Sequence, residues 1–180
     1  NNTIRKVVIA TGAVTTLAGS AGSSGSTDDA GTAARFDLPL GVTTDGANLY
    51  VTDSNNNTIR KVVIATGAVT TLAGSAGVAG SADGAGAAAR FGYPNGITTD
   101  GAHLYVADTY NHTIRKVSIA TGAVTTVAGS AGQRGSANGT GSEARFDHPE
   151  SITTDGTDLY VMGWDHTIRV VAIATGVVTT

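Results

Sequence analysis

One block of sequence recurs along this chain at an almost constant spacing. TIRKVVIATGAVTTLAG occupies residues 3–19, returns unchanged at 58–74 and returns with two changes at 113–129, and a shortened copy occupies 167–180. The copies therefore start 55, 55 and 54 residues apart. A unit of this size cannot bury its apolar face alone, so neighbouring units must stack and share a continuous core. The chain is predicted to be an array of similar units.

Each period predicts four short β-strands and no long helix. In the first complete unit the strands lie in GVTT, LYV, TIRKVVI and AVTTLAG, with Val42–Thr44 and Leu49–Val51 as the first two. The pair Asp45-Gly46 separates these two strands, and Asp-Gly between apolar runs is a strong hairpin signal because Gly accepts a positive φ. The fold class is therefore all-β, with one candidate helical turn at Gly31–Phe36.

The period divides the chain into a half unit followed by three longer units. Residues 1–19 hold only a third and a fourth strand, residues 20–74 and 75–129 hold complete repeats, and residues 130–180 hold a clipped last repeat. A Gly/Ser/Ala-rich segment of constant length separates each fourth strand from the next Phe. Its small side chains predict a connection on the surface rather than a part of the core.

Charge and composition exclude several classes of function. Charged residues make up 14% of the chain and the net charge is −3, so no basic surface for nucleic acid is expected. There is no cysteine and no apolar run of about 18 residues, so we expect neither a disulfide framework nor membrane insertion. The richness in Gly, Ala, Ser and Thr is typical of an extracellular or cell-surface protein, and a bacterial one.

The repeat at residues 75–129 resembles the NHL repeat. That pattern has a Phe, a Pro-x-Gly-Ile/Val, an Asp-Gly turn, Leu-Tyr-Val, an Asp and then Asn-x-x-Ile-Arg. The residues that fit it are Phe91, Pro94, Gly96, Ile97, Asp100, Gly101, Leu104, Tyr105, Val106, Asp108, Asn111, Ile114 and Arg115. The resemblance implies antiparallel four-stranded β-propeller blades. Members of the family bind proteins, RNA or small ligands, and a few are metal-dependent lyases.

The last repeat departs from this pattern, and the repeats are too few to close a ring. Ser151 replaces a Gly, and residues 162–166 form a loop that is one residue shorter. A closed propeller needs about four to eight blades, whereas about three and a half are present. Exposed faces at both ends predict contact with further copies of the chain, or with further repeats of a longer chain, and an unclosed contact gives a filament. An open superhelical array of blades is the alternative fold.

Five residues in the loops that differ between repeats are candidates for binding. The loop before the third strand reads SNNN, TYNH and GWDH in successive repeats, and the long Gly/Ser/Ala segment also varies. Exposed aromatic residues are suited to anchor a protein or glycan ligand, the alternative being a loop folded over its own blade. The candidates are Tyr110, His112, Arg134, Trp164 and His166.

Eight residues that recur in phase are predicted to be structural. An Asp after the second strand is expected to accept backbone N–H groups in a turn, with cation binding as the alternative. An Arg before each Phe is expected to bind loop carbonyls or an Asp between blades, with an acidic ligand as the alternative. The set is Asp53, Asp108, Arg35, Arg90, Arg145, Phe36, Phe91 and Phe146.

No metal site and no cofactor are predicted. His112 and His148 fall in different loops, and a zinc site needs three or four converging ligands. Three asparagines begin Asn-x-Thr triplets, which are glycan acceptors in a secreted protein; the alternative is a turn before the third strand. They are Asn56, Asn111 and Asn138.

The near-identity of the repeats argues against catalysis. An active site needs different groups in different roles around one point, whereas similar repeats supply the same group several times. We therefore predict a non-enzymatic scaffold whose blades assemble within and between chains as a structural or filament-forming surface protein. The alternatives are a propeller that binds a ligand or protein through its variable loops, and a metal-dependent lyase of NHL type.

Overall fold

The computed structural model describes all of residues 1–180 as β-strands joined by turns and loops. Short 3-10 turns lie at Gly31–Ala33, Gly86–Ala88, Thr109–Asn111 and Gly141–Glu143. None of these turns has the length and apolarity needed to cross a lipid bilayer. The strands are β1 (Thr3–Val7), β2 (Val14–Gly19), β3 (Pro39–Thr44), β4 (Asn48–Asp53), β5 (Thr58–Val63), β6 (Val69–Gly74), β7 (Gly84–Ala85), β8 (Pro94–Thr99), β9 (His103–Asp108), β10 (Thr113–Ser118), β11 (Ala123–Gly129), β12 (Gly139–Thr140), β13 (Ser151–Thr154), β14 (Asp158–Met162), β15 (Ile168–Ala172) and β16 (Val177–Thr179).

The strands form three blades and one half-blade. Blade 1 contains β3 to β6, blade 2 contains β8 to β11 with β7 at its edge, and blade 3 contains β13 to β16 with β12 at its edge. The half-blade contains β1 and β2. Within each four-stranded blade, chain neighbours pair antiparallel because the connecting turns are short. The predicted all-β blades are confirmed, and the first two strands are longer than predicted, since flanking residues such as Pro39, Asn48 and Asp53 also pair.

The first strands of successive blades lie side by side. Strand β8 is in contact with β3 on one side and with β13 on the other. The approach is close at two glycines, because a Cβ on Gly41 or Gly96 would overlap the backbone carbonyl oxygen of Asn95 or Glu150 in the next blade. The series does not close into a ring, as its number of blades predicts.

The apolar core lies between the blades rather than within one sheet. The largest core clusters combine residues of two neighbouring blades, for example Tyr50 and Ile59 of blade 1 with Phe91 and Leu104 of blade 2. Phe36, Phe91 and Phe146 are each at most 2% exposed. Each blade therefore depends on its neighbour to cover an apolar face, which is the shared core that the repeat predicts.

The long Gly/Ser/Ala segment is only partly the surface loop that the sequence predicts. On its way between blades it forms β7 and β12, which pair with the outermost strands β11 and β16. Its last residues, Ala34, Ala89 and Ala144, are fully buried beside the core Phe. The correction has a physical reason, since a strand edge left unpaired exposes backbone donors and acceptors.

The Asp-Gly turns are held by the carboxylate that opens them. Asp100 accepts the backbone N–H of His103 and of Ala102, at 2.7 and 2.8 Å, and the hydroxyl of Tyr105 at 2.9 Å. Burial raises the pKa of Asp100, but these hydrogen bonds outweigh it and hold the pKa at about 2. Hydrogen bonds likewise hold the pKa of Asp45 and of Asp155 below the usual value.

These turns predict a loss of stability in acid. A carboxylate with a lowered folded-state pKa stabilises the fold above its unfolded pKa, and this contribution disappears as the pH falls through the folded value. For Asp100 the window runs from its ordinary value of 3.8 down to about 2. We expect the difference in unfolding free energy between the wild type and Asp100→Asn to be largest above pH about 4 and to shrink towards pH 2. Urea unfolding at a series of pH values measures it, and a difference independent of pH would contradict the expectation.

Candidate functional site

A buried arginine on the third strand of each blade organises the loop end of that blade. Arg60, Arg115 and Arg169 are at most 1% exposed. In blade 2, Arg115 donates to Asp108 at 2.7 Å, to Asp83 at 2.8 Å and to the carbonyl of Arg90 at 3.0 Å. Its guanidinium lies over the ring of Phe91, 5.3 Å from the centroid. Sequence reasoning did not assign these arginines a role, although the repeated Ile-Arg was the signal.

Asp53 and Asp108 are the buried partners of these arginines. One oxygen of Asp108 accepts a hydrogen bond from the backbone N–H of Gly92 at 2.7 Å. The other oxygen accepts hydrogen bonds from Arg115 and from the side-chain amide of Asn111, both at 2.7 Å. Burial raises the pKa of Asp108 to about 6 although Arg115 opposes the shift. Both carboxylates are fully buried, so they lie in a closed network.

The arginines that precede each Phe lie at the edge of this network and bind carbonyls of the preceding 3-10 turn. Arg35 donates to Thr32 at 2.7 Å and to Ala34 at 2.8 Å, and Arg145 donates to the carbonyl of Ala144 at 2.8 Å. Arg90 makes the equivalent 2.7 Å bond to Ala89. Their guanidinium groups are occupied locally and do not converge on one point.

The Asn-x-Thr asparagines are also engaged. The amide nitrogen of Asn56 donates to Asp53 at 2.8 Å and to the carbonyl of Gly25 at 2.7 Å, and Asn111 makes the equivalent bonds. A glycan would have to be attached to this same nitrogen. In blade 3, Asn138 accepts from Arg169 at 2.8 Å.

Neighbouring repeats are joined by a side chain that binds one strained residue of the next repeat. Leu38, Tyr93 and His148 all have positive φ, between 44° and 56°. Their backbone N–H groups donate to Asn2 at 3.0 Å, to Asn57 at 2.8 Å and to Nδ1 of His112 at 3.2 Å, respectively. We call these three contacts junctions 1, 2 and 3. Because His112 accepts through Nδ1, its neutral ring carries the proton on Nε2.

Junction 3 brings together two histidines that belong to different loops. The ring centroids of His112 and His148 are 4.5 Å apart and the rings are nearly perpendicular. Nδ1 of His148 lies 2.6 Å from Oδ1 of Asp147. Loops of different repeats meet where blades stack, so a difference in loop does not keep the two side chains apart. Burial lowers the pKa of His112, and the nearby charge of His148 adds to the shift, so the ring is neutral at pH 7.

Four rings form an exposed row across junctions 2 and 3, which we call the aromatic row. Tyr93 stacks on Tyr110 at 4.8 Å between centroids, Tyr110 meets His148 edge-on at 6.0 Å, and His148 stacks on Trp164 at 4.1 Å. Trp164 also donates to Glu150 at 2.8 Å. Tyr110 and Trp164 nevertheless remain 57% and 54% exposed. The row thus presents two open ring faces in a fixed arrangement.

A groove of about 490 Å³ borders one end of the aromatic row. It is lined by Tyr93 and Tyr110 together with small and amide residues of blades 1 and 2, among them Ser54, Asn57 and Gly80. Two other candidate binding residues lie outside the row. Arg134 is exposed on the long segment, where its backbone forms an isolated β-bridge with Phe146. His166 is exposed in the loop before the third strand of blade 3. His166 is not part of the cluster of His112, Asp147 and His148 at junction 3.

Blade 3 lacks several of the groups that join blades 1 and 2 to their successors. Ser54 and Thr109 donate to Pro94 and Pro149 of the next blade, both at 2.6 Å. In blade 3 the shortened loop has Gly163 before Trp164 and no counterpart of the buried Asp. Arg169 therefore has a carboxylate only at 3.7 Å, that of Asp165.

Comparison with known proteins identifies the type of repeat. A family model described as the NHL repeat matches residues 91–117. NHL repeat-containing protein 2 of Homo sapiens is 35% identical over 141 residues, covering 72% of this chain and 19% of that protein. A Bacteroides thetaiotaomicron protein of unknown function superposes with a TM-score of 0.78 at 27% identity. An auxiliary nutrient binding protein from Bacteroides ovatus superposes with a TM-score of 0.72 at 23% identity, which shows a common fold.

The matched proteins named above are longer than this chain. The chain spans about a fifth of the curated relatives, at 19% of their length. In both of the solved structures the superposition covers 94% of this chain and 42% of the other. The similarity therefore concerns the repeat and its stacking.

Proposed function

This chain belongs to the NHL-repeat family, and we propose that it is a non-enzymatic scaffold that binds a protein partner through the aromatic row. The observation that carries the proposal is the pair of open rings on either side of His148, where Trp164 stacks on the imidazole and Tyr110 meets it edge-on. Tyr and Trp are the residues most enriched among interface hot spots, since each buries a large rigid area at a low cost in conformational entropy.

The surroundings of the row favour a protein partner. The neighbouring groove is lined by Tyr93, Tyr110, small residues and amides, which offer a place for an apolar side chain and hydrogen-bonding groups for a backbone. Glu150 and Asp147 lie beside Trp164 and His148 and add negative charge to one end. We therefore expect a partner segment with an apolar or aromatic anchor and a basic residue next to it.

The repeats support the absence of catalysis in this proposal. The two carboxylates that recur in phase after the second strand, Asp53 and Asp108, are fully buried and hydrogen-bonded to arginines, so neither faces a groove in which a substrate could react.

Binding should depend on Tyr110 and Trp164 together. We expect peptides selected from a random phage-displayed library on the wild-type chain to lose at least about 30-fold in affinity for Tyr110→Asn, a loss of about 2 kcal/mol. Position 110 corresponds to Asn55 in blade 1, so this variant copies a loop that the fold already contains. Trp164 is the only tryptophan, and its fluorescence therefore reports the site directly.

One control variant and one opposing outcome make this experiment decisive. Ile9→Ser changes a residue that is 99% exposed in the turn between β1 and β2, outside the row and the groove lining, and should leave peptide affinity unchanged. Selected peptides that bind Tyr110→Asn and Trp164→Ser as tightly as the wild type, without altering Trp164 fluorescence, would overturn the proposal.

Association between copies is a second candidate, favoured by exposed apolar side chains on the outer faces of the array. Val7 and Val42 are 57% and 56% exposed on one face, and Met162 and Ile168 are 51% and 57% exposed on the other. Apolar patches of this kind promote assembly. Light scattering over a wide concentration range should then show a mass that grows with concentration and falls for Ile168→Lys. A constant monomer mass would exclude this candidate.

A further inference from the structure

We propose that His112, Asp147 and His148 form a binding site for a divalent transition-metal ion, such as Zn²⁺ or Co²⁺, across junction 3. One ligand atom from each of the three side chains lies within 4.8 Å of the other two. Two imidazoles and a carboxylate are a donor set that suits Zn²⁺ and Co²⁺, and three protein ligands leave a fourth position for water.

The geometry needs only side-chain adjustment to hold an ion. Asp147 Oδ1 and His148 Nδ1 are already 2.6 Å apart. Ligand atoms around a tetrahedral ion lie about 3.3 Å from one another when each bond is about 2.0 Å, so this pair must separate slightly and the most distant pair must approach. The ring of His112 has to exchange its 3.2 Å bond with the backbone N–H of His148 for the metal, and a long hydrogen bond is a weak one.

The repeats themselves indicate that this combination is specific to junction 3. The residues in phase with His112, Asp147 and His148 are Asn57, Gly92 and Tyr93 at junction 2. At junction 1 they are Asn2, Asp37 and Leu38. At each junction an Asn or His side chain accepts the backbone N–H of the equivalent residue in the next repeat. Asn makes this hydrogen bond at two of the three junctions, so a histidine is not needed for it. Only junction 3 adds a second imidazole beside a carboxylate.

Some of the surrounding charges favour the binding of a cation and one opposes it. Asp147 and the nearby Glu150 favour a cation, whereas the positive charge of Arg134 lies close enough to His112 to oppose one. Asp147 and His148 are 29% and 17% exposed, so an ion can reach them from solvent. Since His112 belongs to blade 2 and the other two ligands lead into blade 3, a bound ion would tie the two blades together.

Titration with metal ions alone tests the site. We expect one Co²⁺ per chain with a Kd below about 100 µM, followed by the visible absorption of the bound ion, and displacement by Zn²⁺. The variant His112→Asn/His148→Leu should weaken binding at least 10-fold. This variant turns junction 3 into a copy of junction 1, which already holds Asn2, Asp37 and Leu38, so it is expected to fold.

The reverse change provides the second arm. Asn2→His/Leu38→His places two histidines beside Asp37 at junction 1 and should raise the stoichiometry to two ions per chain. Zn²⁺ should also raise the melting temperature of the wild type and not that of His112→Asn/His148→Leu. Absence of Co²⁺ binding by the wild type, or binding equal in the wild type and that variant, would overturn the proposal.

Discussion

Replacing Asp108 with Asn is expected to lower the free energy of unfolding by about 3–5 kcal/mol, because it leaves the buried Arg115 without its charge partner. Both side chains are fully buried and their atoms lie 2.7 Å apart. Asp83 also contacts Arg115, but its side chain is 50% exposed, so water screens its charge. It therefore cannot compensate for the loss of the Asp108 carboxylate. Chemical denaturation of the purified chain at pH 7 gives the difference directly.

The matched control for this change is Asp83→Asn, which removes the exposed partner of the same arginine. We expect it to cost less than about 1 kcal/mol. Equal costs for the two variants would show that burial does not decide the strength of this network. Blade 3 offers the reverse change, since inserting an Asp between Met162 and Gly163 restores the 55-residue period and should stabilise the chain by supplying Arg169 with a partner.

Replacing Gly96 with Val is expected to cost about 3 kcal/mol, because blades 2 and 3 meet there at backbone contact. A side chain at this position would overlap the carbonyl oxygen of Glu150 and the backbone of Ile152. These are main-chain atoms of a paired strand, so they cannot rotate away as a flexible side chain would. Circular dichroism will follow the unfolding of the whole chain, and the fluorescence of Trp164 will follow the unfolding of blade 3.

Ser151→Val is the control for this change at the equivalent position of blade 3. Ser151 is exposed and has no following blade against it, so the same substitution should change stability by no more than about 0.5 kcal/mol. If Ser151→Val proved as costly as Gly96→Val, the penalty would come from strand propensity rather than from stacking. The contrast between Gly96 and Ser151 therefore measures the contact between blades.

Two departures of blade 3 fall on the face that a following blade would contact. In blades 1 and 2 that face has a glycine and a hydroxyl that donates to the next blade, whereas blade 3 has Ser151 and Gly163. A blade packed against it in the manner of blade 2 would meet the side chain of Ser151 and find no donor. The face of blade 3 thus differs chemically from the internal faces, although apolar Met162 and Ile168 are exposed on it.

The surroundings of some functional residues could be predicted from the sequence, and those of others could not. The exposure of Tyr110 and Trp164 follows from their position in a loop that joins adjacent strands, so it could be expected from the pattern. The roles of Arg60 and Arg115 could not, because an arginine on a strand is ordinarily solvent-facing and these are buried only by partners 7 and 32 residues away. A repeated charge on an apolar strand is the signal that indicates such a network.

The sequence alone determined the period, the antiparallel order of strands and the open series of about three and a half blades. These features depend on turns and alternations between chain neighbours, which a local pattern records. Only the tertiary structure decided which loops meet, as His112 and His148 do across 36 residues. That contact arises from the stacking of one rigid sheet on the next, and stacking is a property of the whole repeat rather than of any segment.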